Sequence, residues 1–359
     1  MGDYIRIFSG ESPNRINSEY DKIPYYKVEQ LNWCEKYLGE TPYLSQRGKN
    51  ILPEGCVVFS KRGAAILTNK VRMNLFPINI DTNLMGIKAD NSFILDQYLF
   101  YFILRARLNR IADTSTIPQI NNIHINPITI YVPSLAEQEI ITKFLALLDE
   151  RIATQRRLIE DLEKLMSSIV DRIFSDVDGE VVKFRDILEI STQRNDGKAD
   201  YRILSASQEF GMIERDSLDI DIKAEAKSVK MYKRVHPGDY VLHLRSFQGG
   251  LAFAEVEGIC SPAYTILRPN KRLEYGYLKE YFNSSKFIKS LVLVTYGIRD
   301  GRSINVEEFL DMNISIHHKN KQAEIVKSLS MLSDKLNVEA SILNRYEQQR
   351  AYLLSNLFI

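Results

Sequence analysis

Cysteine is scarce in this chain: Cys34, Cys56 and Cys260 are the three among 359 residues. Their odd number and wide spacing leave neither a disulfide framework nor a CxxC metal site, so a reducing cytoplasm is the compartment expected. Long apolar runs are missing too. None approaches the roughly 20 residues that a membrane-spanning helix needs. The opening MGDYIRIFSGESPNR lacks the basic stretch and apolar stretch of a secretory leader, so no membrane partner is expected. Neither sign of charge dominates: 47 Lys and Arg face 46 Asp and Glu, a net of +1. A nucleic-acid partner would therefore have to be met by local clusters of basic residues.

Catalytic signatures are also lacking. No GxxxxGK(S/T) loop is present, so ATP hydrolysis is not expected of this chain. No Pro-Asp…Glu-x-Lys cluster marks a nuclease centre. Ser261-Pro-Ala-Tyr264 superficially matches the (N/D/S)PP(Y/F) motif of amino-methyltransferases, but Ala263 replaces the second proline and no glycine-rich loop precedes it. Its apolar, β-rich surroundings predict a core strand instead. Phe8 to Ser12 (FSGES) is too short and isolated for a methyl-donor site. His236, His243, His317 and His318 have no further ligands at metal spacing, so no metal site is expected.

What the chain does have is a repeat, which outranks other clues to architecture. A long heptad helix is predicted from Ser134 to Phe174 and again from about Lys319 to Ile359. The two copies align without a gap, Gln138 on Gln322, Ile152 on Leu336 and Phe174 on Phe358. The first seam comprises Ile141, Leu145, Leu148, Ile152, Ile159, Leu162, Met166, Ile169 and Ile173, interrupted by Gln155. The second comprises Ile325, Leu329, Leu332, Leu336, Leu343, Tyr346, Leu353 and Leu357, interrupted by Glu339 and Arg350. A strict seven-residue seam is narrower than the stripe of a helix lying on its own domain, so pairing of the two helices is expected. Antiparallel pairing would throw the two globular segments to opposite ends and bring Gln155 and Glu339 together as one central polar layer.

The globular segments run through the same order of features. Ile51–Ser60 and Val235–Arg245 each read as a Pro/Gly turn feeding a strand. Further strands are predicted around Asp81 and Ser261. One short amphipathic helix follows in each, Leu95–Ala112 and Leu273–Val294, with Tyr98-Leu99 matching Tyr277-Leu278. Each segment closes with a polar loop and a last strand, ITIYV after Pro127 and ISIH after Asn313.

With Pro133-SLAEQE-Ile140 opening a heptad helix that ends in Asp171-Arg-Ile-Phe174, the chain resembles a specificity subunit of a type I restriction–modification system. Asn126-Pro127 before the last strand, Ser9-GES-Pro13 and the Pro237-Gly-Asp239 turn carry the same resemblance, which covers essentially the whole chain. The second copy departs from it, with Asn320-KQAE-Ile325 at its helix start and no counterpart of SGESP. The resemblance implies an α+β fold: two α/β target-recognition domains, 1–133 and 176–318, each followed by a conserved helix, 134–175 and 319–359. The helices would pair as an antiparallel coiled coil that spaces two halves of a bipartite, asymmetric site on double-stranded DNA. Two methyltransferase subunits would dock on this chain and restriction–translocation subunits would join them. S-adenosylmethionine, ATP and Mg are expected on those partners and no cofactor on this chain.

A DNA reader needs Lys and Arg for phosphates, and Arg, Gln, Asn, Ser or Thr on exposed loops for base edges. In the first domain the candidates are Arg47 and Lys49, Lys61 and Arg62, and Ser115, Thr116 and Gln119. In the second they are Lys230 and Lys233; Arg245, Ser246 and Gln248; and Arg299, Arg302 and Ser303 of the GIRDGRS loop. A solvated loop is the alternative for each. Other readings of the chain are a specificity subunit of a related enzyme in which methylation and cleavage share one other chain, a coiled-coil adaptor that binds no nucleic acid, and a methyltransferase acting alone.

Overall fold

The computed structural model describes residues 1–12, 17, 22–114, 117–175, 177–197, 201–207, 210–215, 229–243, 246–296 and 303–358. Its contacts divide the chain into two compact units, Met1–Arg156 with Ile342–Ile359, and Arg157–Ser341. The division cuts both long helices, so each unit contains a globular segment and a piece of each helix.

In the first unit a four-stranded antiparallel sheet has the order Ile5–Ser9, Leu84–Ala89, Val57–Ser60, Val71–Met73. Strand periodicity sends successive side chains to opposite faces. Val57 and Phe59 join one core with the helix Asp96–Ala106, and Val58 joins another with Phe8, Tyr26, Leu52 and Ile80. The helix is buried along Tyr98-Leu-Phe-Tyr-Phe-Ile103, as an element apolar all round must be.

The second unit repeats the plan. Its sheet runs Leu188–Ser191, Thr265–Pro269, Tyr240–Leu242, Ala252–Phe253, the same order of equivalent strands. Tyr240 and Leu242 face a large core containing Phe184, Phe282, Phe287 and Phe309, while Val241 faces a smaller one with Leu204, Met212 and Ile266. The predicted turns before the central strands are present, and each needs its glycine: Gly55 has φ +79° and Gly238 φ +97°, the left-handed region where a Cβ is disfavoured. Asp239 of the second turn is buried and accepts both arms of Arg268 at 2.9 Å.

Both long helices form, Leu135–Ile173 and Lys319–Asn356. Within the first unit the start of one meets the end of the other: Leu145 shares a core with Leu354 and Phe358, flanked by Ile141, Leu353 and Leu357. Arg350 pairs with Asp149 at 2.5 Å and Arg156 with Glu347 at 2.6 Å alongside. Within the second unit the opposite ends meet, Met166 and Val170 with Ile325 and Leu329, backed by Ile169, Ile173, Leu332 and Leu336. Start against end in one unit and end against start in the other is the antiparallel sense. Leu148 and Ile152 are buried, and Ile159, Leu162, Leu343 and Tyr346 are half-buried. Gln155 is half-buried in the first unit; Glu339, in the second, is 5% exposed and ion-paired with Lys335 one turn earlier.

Four local expectations are corrected. The segment Leu273–Val294 is not one helix. It breaks into Lys279–Phe282, Ser285–Ser290 and a 3₁₀ turn Leu291–Val294, because Ser284 caps the second piece with its hydroxyl accepting the Phe287 N–H at 3.2 Å. The matching helix in the first unit stops at Ala106 and restarts at Leu108, across Arg107 at φ +57°. Ser261–Tyr264 is a turn between the strands Gly258–Cys260 and Thr265–Pro269, not a core strand. ITIYV is irregular, whereas ISIH lies in the strand Asn313–His317 paired with Gly179–Lys183. In the first unit the corresponding edge receives Met1 and Gly2, whose N–H groups reach Asn126 and Ile128 and build no ladder.

Candidate nucleic-acid interface

The first unit gathers its candidate residues around the turn Asp81–Asn83. Lys61 follows directly on the strand Val57–Ser60, and its N–H donates to the Asn83 carbonyl at 2.8 Å. Residues 118–120 lie against it: Gly63 N–H donates to Pro118 O at 2.8 Å, Ile120 N–H to Lys61 O at 2.9 Å, and Arg62 pairs with Gln119. Two candidate loops distant in sequence thus become one surface. Arg62 is exposed and Lys61 half-buried. Burial and the neighbouring Arg62 push the Lys61 ammonium below its ordinary pKa, partly offset by Asp81. A phosphate brought to this pair would offset the repulsion between the two cations.

Arg47 and Lys49 are exposed on a loop fastened to the same turn region. Asn79 donates to Ser45 Oγ at 2.8 Å and Gln46 O at 2.7 Å, and Lys49 N–H donates to Glu11 at 3.1 Å. Ser115 and Thr116 lie outside the described residues.

In the second unit the short helix Ser246–Gly249 lies beside the strand Ser303–Ile304, which pairs with Thr295–Tyr296. This matches the Arg62–Gln119 juncture of the first unit. Gln248 and Ser303 are exposed there, and Lys230 is exposed in the turn before Lys233–Val235. Arg245, Arg299 and Arg302 lie outside the described residues. Two candidates are engaged internally. Ser246 is buried, its hydroxyl accepting the His243 N–H at 2.9 Å, which takes it off the surface. Lys233 turns its ammonium onto the Tyr264 carbonyl at 2.6 Å. Its neighbour Arg234 pairs with Glu257 and lies 4.4 Å over the Tyr201 ring.

The repeat also positions residues whose roles a linear reading does not expose. Gln138 and Gln322 are 0% and 1% exposed near the starts of the long helices. The Gln138 amide donates to Phe93 O and Pro133 O at 2.8 and 2.9 Å and accepts Leu95 N–H at 2.8 Å. Gln322 donates to Arg272 O and His317 O at 3.1 and 2.8 Å and accepts Glu274 N–H at 2.7 Å. Each glutamine ties its long helix to the loop before the short helix of its own unit. The far ends use a second device. Phe358 packs on Tyr98 with ring centroids 4.9 Å apart, and Phe174 on Tyr277 and Tyr281 at 5.4 and 4.7 Å. The alignments of Gln138 with Gln322, Phe174 with Phe358 and Tyr98 with Tyr277 carried the signal, but not the partners.

Among the described residues no helix is long and apolar enough to cross a membrane, and no group of three or more His, Cys, Asp or Glu is placed to hold a metal.

Comparison with known proteins agrees with this architecture. Residues 1–164 match the family model of the type I restriction modification DNA specificity domain. A putative type I restriction enzyme MjaX specificity subunit of Methanocaldococcus jannaschii is 22% identical over 176 residues, covering 48% of this chain and 40% of that protein's length. The matched stretch thus spans well under two thirds of that curated relative. Over the full length the fold is similar to the crystal structure of a type I restriction–modification S subunit from M. genitalium, with TM-score 0.57 and 14% identity, covering 100% of this chain and 94% of the other. It is also similar to a chain from a structural study of the assembly and conformational transition of the type I system, with TM-score 0.61 and 16% identity, covering 99% and 96%. The first 164 residues thus match the type I restriction modification DNA specificity domain, and over its full length the chain shares the fold of these two solved structures.

Proposed function

We propose that this chain is the non-catalytic DNA reader of a type I restriction–modification complex in the cytoplasm. Each recognition domain reads one half of a bipartite site on double-stranded DNA, and the paired helices set the spacing and dock two methyltransferase subunits. Restriction–translocation subunits join that assembly, and S-adenosylmethionine, ATP and Mg act on the partner chains. The observation that supports this best is the repeated plan of the units. The same strand order, glutamine tie and aromatic contact recur, while the loops at Arg62–Gln119 and Gln248–Ser303 differ in sequence. Two like scaffolds with unlike loops suit two different half-sites.

Reading would take place at base edges through exposed side chains such as Arg62, Gln119 and Gln248, with Arg47, Lys49, Lys61 and Lys230 on phosphates. Affinity for duplex DNA should fall steeply with salt as phosphate contacts release counterions. An anisotropy titration of the purified complex tests this, and binding without a salt slope would remove the proposal. Arg62→Ala should weaken binding to the cognate duplex by roughly 1–3 kcal/mol if Arg62 reads a base. Lys49→Ala should weaken all duplexes alike and flatten the salt dependence.

A further inference from the structure

A cavity of about 630 Å³ opens in the first unit, and Arg47, Lys49, Lys61, Arg62 and Gln119 are not among its lining residues. It is walled by the segment Thr68–Arg72, the end of the helix Asp96–Ala106, and the facing stretches of the two long helices. Seven cations and three carboxylates line it, an excess of four positive charges. The carboxylates are already engaged by two of the arginines: Asp149 by Arg350, and Glu35 and Glu347 by Arg156. The other five cations, Lys36, Lys70, Arg72, Arg105 and Arg107, form no ion pair among the described residues. Lys36 contacts the Tyr101 hydroxyl at 3.0 Å, and Arg72 donates to the carbonyls of Leu31 and Val71 at 3.0 and 2.8 Å. Burial pushes the Lys36 ammonium down to about 8 and lowers Arg72 as well. Asp149 opposes the shift of Lys36 and Glu35 that of Arg72 only in part, and an anion that enters among these cations offsets the remaining cost.

The backbone adds an independent observation. Of the three described non-glycine residues with positive φ, two line this cavity, Asn69 at +48° and Arg107 at +57°. Asparagine tolerates that region; arginine does so rarely, and such strain concentrates at ligand sites. Asn69 is held by its amide, which donates to Leu104 O at 3.0 Å and accepts Leu108 N–H at 2.8 Å. That pair of bonds fixes the break that leaves Arg107 exposed at the rim.

We propose that this cavity binds a small phosphorylated molecule of nucleotide size, with Arg105, Arg107 and Lys70 meeting its phosphates and Phe100 and Leu104 lining the apolar wall. The volume is that of a small-molecule site, and five cations that form no ion pair among the described residues suit more than one phosphate oxygen. Isothermal titration of the full chain with inorganic pyrophosphate tests the proposal, with ADP as competitor. Saturable pyrophosphate binding displaced by ADP is expected. The double variant Arg105→Gln, Arg107→Gln should weaken it about tenfold or more while leaving duplex-DNA affinity unchanged. Arg107→Gly supplies a variant that keeps the fold, since glycine relaxes the positive φ; it should raise Tm and still weaken pyrophosphate. The proposal is overturned if no saturable binding occurs, if the variants bind pyrophosphate as well as the parent, or if an oligo-aspartate peptide binds and pyrophosphate does not. Loss of duplex affinity in the variants would instead assign the cavity to the DNA backbone.

Discussion

Gln138 and Gln322 illustrate how a single side chain can hold a repeat together. Each is a buried amide with three hydrogen bonds to backbone groups. Removing the amide leaves those groups unsatisfied, which costs about 1–3 kcal/mol for each group stranded in the interior. Gln138→Ala and Gln322→Ala should therefore each lower Tm by several degrees, and calorimetry of the two variants checks this. Glu280 presents the opposite case. Its burial, with Glu255 nearby, raises its carboxyl above the ordinary 4.5, and Lys279 only partly opposes the rise. The folded state holds this proton more tightly than the unfolded chain, so the group's contribution to stability falls as pH rises above the ordinary carboxylate range. Glu280→Gln should raise Tm at pH 7 and give no gain below about pH 4. At this scale the sequence was partly legible. The exposed candidates Arg47, Lys49, Arg62 and Gln248 stay at the surface, whereas Ser246 and Lys233 turn inward. A pattern of residue types cannot tell a cap or an inward ammonium from a free one, because the partner carbonyl or N–H is set by the fold.

The long helices were the most legible elements, since a seven-residue seam survives any tertiary context. Their aromatic ends were not, because Phe174 and Phe358 meet Tyr277 and Tyr98 across large separations in sequence. Phe358 is 3% exposed, against Tyr98 and Phe102. Phe358→Ala should destabilise the first unit by roughly 3–5 kcal/mol through the cavity it leaves. Hydrogen exchange should accelerate in the helix Asp96–Ala106, and Phe174→Ala should accelerate it in the segment 277–290 instead. Equal acceleration in both regions by either variant would contradict the assignment of one aromatic contact to each unit. Short elements were read least well. Ser284 breaks a stretch whose apolar pattern suited one helix, and ITIYV lacks the pairing that His317 and its neighbours find. Apolar periodicity reports a buried face but not the capping residue that interrupts it.

For the whole molecule, the domain-helix-domain-helix order was visible in the sequence, but the compact units were not. Each unit combines a globular segment with pieces of both helices: the first draws its core from both ends of the chain, Leu145 with Phe358, and the second is one continuous stretch in which Met166 meets Ile325. The arrangement suits the proposed exchange of one reader for another, because each globular segment meets the same pair of helices through a buried glutamine and an aromatic contact. Exchanging residues 1–133 for those of a relative with a different target is the most direct test of the central claim. The readout is single-molecule methylation sequencing of a host that carries the partner subunits and either the parent chain or the exchange. One half of the methylated motif should change, with the spacer and the other half kept. Change of both halves, or a methylation pattern indifferent to this chain, would contradict the account.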